Sequence, residues 1–299
     1  TWARVFDGRP KMEGLKPRRL PMATAEMCLK MLLEGSSIRS VERMTGVHRN
    51  TIVDLVVLVG RRCHEFALCH TPAVHPSEVQ IDEVWGFVFC KEKWREKKGL
   101  GDEVGDCYTF IATERHKKFV IAFHVGKRTP EDTHWFTDNL ADATSGRFHL
   151  SSDGFKPYND AVFESFHNEI DFGQVIKIFG KPRGAKDNTA EMRYSPGTIT
   201  KITKRKRIGE PDFEKISTSI AERNNLSVRM GCRRMTRLTN AHSKKWENHE
   251  AALALWFTFY NWCRIHLTLQ TTPAVAMGLA DHPWTLRELL NTLANMENT

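Results

Sequence analysis

Three carboxylates in unrelated stretches of this 299-residue chain have the types and settings for metal chemistry. They are Asp82 in Gln80-Ile-Asp-Glu-Val-Trp85, Asp153 in Ser151-Ser-Asp-Gly-Phe155, and Glu222 in Ile220-Ala-Glu-Arg-Asn-Asn-Leu226. Between the first two lie 70 residues, and between the second and third 68. Asp82 interrupts a run of strand-forming residues, a poor place for a charge without a partner. Carboxylate oxygens are hard ligands suited to Mg²⁺ or Mn²⁺. Two such ions about 3.5–4 Å apart can clamp the attacking and leaving oxygens of a phosphoryl displacement. Without cations, crowding these acids would raise one or more of their pKa values. Singly, each reads as a surface or turn residue, Asp153-Gly154 being an ordinary turn pair. As a set they predict a metal site, provided the fold gathers them.

Around the third acid, Glu222, Asn225 and Arg229 are spaced by three and seven and so share one face of a predicted helix. Arg229 is placed to hold a DNA phosphate beside Glu222, while Leu226 and Met230 are expected on a neighbouring inward stripe. From Lys181 to Lys245 the chain holds 17 Lys/Arg against 6 Asp/Glu, a net +11 in a chain of net +8, which leaves the remainder slightly acidic. Such a concentration, with Lys204, Arg205, Lys206 and Arg207 in succession, suits phosphate neutralisation and salt-dependent nucleic-acid binding.

The elements that must position these groups follow from periodicity. Residues 1–22, with six Lys/Arg and three Pro, read as an extended basic arm. Helices are expected over 24–34 and 37–45, with a third beginning near His48 and carrying Ile52, Leu55, Val56 and Val59 on one face. Two short helices joined through Gly46 match a helix-turn-helix, in which His48, Arg49, Asn50 and Thr51 would meet DNA base edges. Beyond the linker at 71–76, strands are predicted over 78–89, 107–113, 119–124, 148–151 and 172–179. Helices fall near 129–140 and 158–166 and from about 215. That order predicts a mixed α/β sheet with the first and fourth strands adjacent. Past Lys245, Trp246, Leu253, Trp256, Phe257 and Tyr260 form an aromatic stripe that reads as core.

Composition excludes other classes. With 40% hydrophobic and 27% charged residues, collagen-like and wholly disordered chains are ruled out. No stretch approaches about 18 uninterrupted apolar residues, and the first residues lack a signal peptide's apolar core, so a cytoplasmic location is expected. Seven scattered cysteines with no C-x-x-C pair read as reduced thiols. Cys63 and His70 would share a helix face, yet no second cluster completes a zinc site.

The segments Asp82-Glu-Val-Trp-Gly-Phe-Val88, Ser152-Asp-Gly-Phe-Lys-Pro-Tyr158 and Ala221-Glu-Arg-Asn-Asn-Leu-Ser-Val-Arg229, with residues 234–245 and 247–250, resemble the DDE transposases of bacterial insertion sequences. They are most similar to the insertion-sequence-one family, over roughly residues 25–275. The resemblance implies an RNase H-like catalytic core with Asp82, Asp153 and Glu222 as metal-binding triad, and Arg229 as the basic residue seven after the Glu. It implies cleavage at element ends and joining of the freed 3′-hydroxyls to target DNA. Some members carry a Cys-rich zinc module ahead of the helix-turn-helix, which this chain does not show.

The expected organisation is therefore a basic arm (1–22), a helix-turn-helix domain (23–70), an RNase H-like α/β domain (76–245) with a basic insertion near 181–211, and a helical segment (246–299). Two Mg²⁺ or Mn²⁺ ions, DNA and a homo-oligomer on DNA are the expected partners. Asp82 would bridge the ions, with Asp153 and Glu222 each completing one side. Tyr158 as a covalent nucleophile lacks the accompanying Arg/His set, and His249 reads as structural or site-directed. Two readings compete with the transposase: a non-catalytic DNA-binding regulator and an RNase H-like nuclease that cuts without joining.

Overall fold

A computed structural model describes residues 20–70, 73–180 and 197–296. Nearly all of the expected basic arm, the first part of the basic interval and the last three residues fall outside them. The described chain opens with three helices, α1 (Met22–Leu33), α2 (Ile38–Thr45) and α3 (Arg49–His70). Ser37 caps α2 by accepting from Ser40 N at 3.1 Å, and Gly46 ends it in the left-handed region at φ +71°. His48 then starts α3. Its Nδ1 accepts from Asn50 N at 3.2 Å, and the Glu42 carboxylate accepts from Arg49 N at 2.9 Å, so an acid sits at the helix N-terminus.

Six strands form one mixed sheet in the order β3-β2-β1-β4-β5-β6. They are β1 (Glu78–Val88), β2 (Gly105–Glu114), β3 (Val120–Gly126), β4 (His149–Asp153), β5 (Asp171–Gly180) and β6 (Thr198–Ile208). β2 lies antiparallel to β1 and β3, β4 lies parallel to β1 and β5, and β6 closes antiparallel on β5. The adjacency of the first and fourth strands is as the sequence predicts, and the order is consistent with an RNase H-like sheet. Two elements were not anticipated. The β1–β2 connection holds a short helix, α4 (Glu92–Lys98). Part of the expected basic insertion is strand β6, whose Lys-rich sequence suits an exposed sheet edge.

Helix α5 (Pro130–Asp142) begins as expected, with Thr129 Oγ1 accepting from Asp132 N and Pro130 in its first turn. α6 (Tyr158–Phe166) follows β4 directly. On the other face of the sheet lies α7 (Ser219–Gly231), seated by polar contacts. The buried Gln80 Oε1 accepts from Ile220 N at 2.8 Å and Ala221 N at 3.2 Å, satisfying two free amides of the first turn. Asn224 Nδ2 donates to Thr113 Oγ1 at 3.0 Å. The inward stripe of α7 is Ala221, Asn224, Val228 and Gly231. Leu226 and Met230, expected to point inward, are instead 45% and 69% exposed. The reason is that the sheet receives the small and amide side chains, which allow a close approach, and the bulkier pair rotates outward.

Helix α8 (Trp246–Trp262) is buried nearly all round, which is why its aromatics read as core. It lies against α3 so closely that a Cβ on Gly60 would stand 2.0 Å from the Ala251 carbonyl oxygen. Phe66 of α3 packs edge-on to Trp262. Asn261 donates to Val120 O and accepts from Val120 N, both at 2.9 Å, capping the edge of β3. Two last helices, α9 (Pro273–Met277) and α10 (Leu286–Asn295), complete the chain, with Leu286, Leu289, Leu290 and Leu293 buried. One contiguous apolar cluster joins the opening helices, the sheet and α8. Among the described residues no helix is long and apolar enough to cross a membrane.

Candidate metal centre

β1 and β4 pair only over Glu78–Gln80 and His149–Ser151. Beyond that ladder the two strands are no longer paired, and the crevice outside such carboxyl ends is where open α/β sheets place ligands. Asp82 and Glu83 border it from β1, and Asp153, the last residue of β4, borders it from the other side. Carboxylate oxygens of these three residues lie within 4.8 Å of one another. Strand alternation sends Asp82 and Glu83 to opposite faces, and each is held there differently.

Asp82 turns toward α7. Its Oδ2 accepts from Asn225 Nδ2 at 2.7 Å and its Oδ1 from Glu83 N at 2.9 Å. Glu83 turns toward α5 and α6, where its Oε2 accepts from Arg128 Nη2 at 3.2 Å. Arg128 in turn stacks over the Phe155 ring, 4.2 Å from its centroid. The Tyr158 phenol lies beside Glu83, but its hydroxyl and Glu83 Oε1 both lack a partner of hydrogen-bonding geometry. Asp153 Oδ1 accepts from Phe155 N at 2.9 Å. Burial, reinforced by the charge of Asp153, pushes the Asp82 carboxyl up to about 7. Burial and the same neighbour push Glu83 to about 7 as well.

Glu222 stands one helical turn before Asn225, and its charge adds to the upward push on Asp82. Its carboxylate is nevertheless turned toward β5, where it pairs with Lys177 and accepts from Thr218 Oγ1 at 2.8 Å. The fold thus brings Asp82 and Asp153 together, sets Glu222 beside them outside the tight group, and adds Glu83. All these donors are carboxylate oxygens. That chemistry fits a hard divalent cation such as Mg²⁺ or Mn²⁺.

The residues expected on DNA are distributed as follows. His48, Arg49 and Asn50 are exposed at the start of α3, and Thr51 is half-buried. Asn225 faces Asp82. Arg229 directs its guanidinium to two backbone carbonyls, those of Met235 and Trp85, each at 3.0 Å. It therefore ties α7 to β1, and burial lowers it to about 10. Lys204 donates to Phe213 O at 2.6 Å, and Lys206 pairs with Glu210 at 2.6 Å. Arg205 is exposed. Arg207 donates to Gln174 Oε1 at 2.8 Å, and Gln174 donates to Ser152 Oγ and Phe155 O next to Asp153. Tyr158 is fully buried, and burial together with the Glu83 charge holds its phenol well above its usual range. That is no setting for a nucleophile. His249 is also buried, between Ser243 Oγ and Cys107 Sγ, and burial lowers it to about 3. It is a core residue.

Sequence reasoning missed Gln80, Glu83, Arg128 and Lys177. The signal for Glu83 was present: both faces of a central strand are covered, so an Asp-Glu pair there buries two charges. Lys177 and Arg128 carried no local signal, since only the tertiary fold brings them to the acids.

No protein-family model matches the sequence, and no curated protein matches it. A piggyBac transposase synaptic complex with hairpin DNA, a solved structure, is similar at 9% identity with a TM-score of 0.41, covering 98% of this chain and 74% of that one. A likeness that loose brings neither family nor activity to this chain.

Proposed function

We propose that the chain is a DDE-type transposase, which binds the ends of a mobile element, cleaves a phosphodiester there and joins the 3′-hydroxyl to target DNA. The observation that carries this reading is the crevice between β1 and β4, where acids from distant parts of the chain converge. The sequence motifs that resemble insertion-sequence transposases fall on that crevice. Bound to these carboxylates, Mg²⁺ or Mn²⁺ would supply activation of a water or 3′-hydroxyl and stabilisation of the leaving oxygen. The chain's own residues set the stage. Asn225 and the Glu83 amide orient Asp82, and the Phe155 amide orients Asp153. Gln80 and Arg229 pin both ends of α7, so that Glu222 stays within a helical turn of the Asp82 contact. Lys177, beside Glu222, is a cation at the rim able to meet a phosphate oxygen.

The first three helices present His48, Arg49 and Asn50 outward as the end-reading surface, and the edge strand β6 adds the exposed Arg205. Pairing two element ends calls for a homo-oligomer on DNA. The test incubates the purified chain with DNA carrying the sequences that flank its own gene and an unrelated target plasmid, with Mg²⁺ or with EDTA. Mg²⁺-dependent appearance of 3′-end-joined product is expected. Binding without any cleavage would mark a regulator, and cleavage without joining a nuclease.

A further inference from the structure

We propose that Glu83 is itself a ligand of the divalent cation, completing with Asp82 and Asp153 the tight part of the site, while Arg128 positions it. This rests on the metal-site reading above and extends it to a residue that the expected triad of acids omits. The Glu83 side chain is only 3% exposed. One of its oxygens, Oε2, is fixed by Arg128, whose guanidinium is clamped from behind by the Phe155 ring. The other, Oε1, is buried and has no hydrogen bond of good geometry, with the Tyr158 phenol beside the same carboxylate. Through one of its oxygens Glu83 belongs, with Asp82 and Asp153, to a group whose carboxylate oxygens lie within 4.8 Å of each other.

A purely structural partner for Arg128 would not need two further carboxylates at that distance, since like charges in a buried site oppose one another. Charge counting points the same way. Three carboxylates facing one guanidinium leave two negative charges, which one divalent cation neutralises. Arg128 cannot be that balance alone, because it approaches a single oxygen of a single acid. Strand geometry explains how neighbours in sequence serve one ion: where β1 and β4 diverge no ladder intervenes, and the extra methylene of Glu83 lets it reach around the strand.

Mn²⁺ binding to the full chain, without DNA, followed by calorimetry and by loss of the free Mn²⁺ spin-resonance signal, tests this without reference to activity. Glu83→Gln keeps the volume and an oxygen for Arg128, and should weaken Mn²⁺ about tenfold or more, the scale on which losing a supporting group acts. Glu83→Asp keeps the charge but withdraws the oxygen by one methylene, and should also weaken binding. It serves as the second variant if Glu83→Gln does not fold, which thermal melting reports. Wild-type Mn²⁺ affinity in either folded variant, with binding lost in Asp153→Asn, would overturn the role of Glu83 and leave the metal site standing. Absence of Mn²⁺ binding by the unmodified chain would overturn both.

Discussion

Asp82→Asn is expected to abolish cleavage and joining, by at least about 10³-fold, equivalent to roughly 4 kcal/mol of transition-state stabilisation. Binding to element ends should be kept, because the outward face of α3 lies on other elements. The substitution removes a charge from the centre of the acid group but keeps its shape. The Glu83 amide can still donate to the remaining oxygen. Asn225 now donates to Asp82 Oδ2, and its own Oδ1 has no partner, so rotating its amide lets it accept from the new side-chain amide. The variant should therefore fold, and without metal it should melt at or above the temperature of the unmodified chain, since a buried like-charge repulsion is gone. Rates of cleavage measured beside end binding and melting check all three. Retained cleavage in a folded Asp82→Asn protein would remove Asp82 from the chemistry.

Stabilisation by Mg²⁺ should grow steeply between pH 5.5 and pH 8. Asp82 and Glu83 have ordinary values of 3.8 and 4.5, and burial beside Asp153 moves both to about 7. Between those limits the native state holds protons that the unfolded chain has released. The contribution of these two acids to stability is thus fully present below about pH 4 and is lost as the pH rises through about 7. A cation competes with those protons, so it binds weakly at pH 5.5 and strongly at pH 8. At a Mg²⁺ concentration 100-fold over its dissociation constant the gain is about 2.7 kcal/mol, about 4 °C in melting temperature for a chain of this length. The quantity to read is the increment on adding Mg²⁺ at each pH. Buried histidines such as His249, lowered by burial to about 3, tilt the absolute curve the other way below their usual value. Asp171, held low by its hydrogen bonds to Arg147, titrates below the window. An increment equal at both pH values would contradict the assignment of those shifts to the metal-binding acids.

Much of this architecture is readable from residue pattern, because the pattern is local. β1 to β5 show as runs of Val, Ile, Phe and Trp broken by turn residues. α5 announces itself through Thr129-Pro130, and α8 through its aromatic stripe. β6 was hidden since Lys204 to Arg207 read as a charged loop, and only pairing with β5 makes them an edge strand. The direction of α7 was misread at Leu226 and Met230 for a similar reason: hydrophobicity predicts an inward face, but here Gln80 and Thr113 bind the helix through amides. At the site, Asp82 and Asp153 were legible as acids where strands should not carry them. The engagement of Glu222 by Lys177 and of Arg229 by two carbonyls was not, because each partner is remote in sequence and chosen by packing. Glu83 was legible in principle, through the rule that a central strand hides both its faces.

The most direct test of the account is anomalous diffraction from crystals of the chain soaked in Mn²⁺. Peaks are predicted in the crevice between β1 and β4, at about 2.0–2.2 Å from carboxylate oxygens as hard oxygen ligation requires, with Asp82 and Asp153 both in contact. Density for Mn²⁺ elsewhere, with that crevice empty at saturating metal, would contradict it.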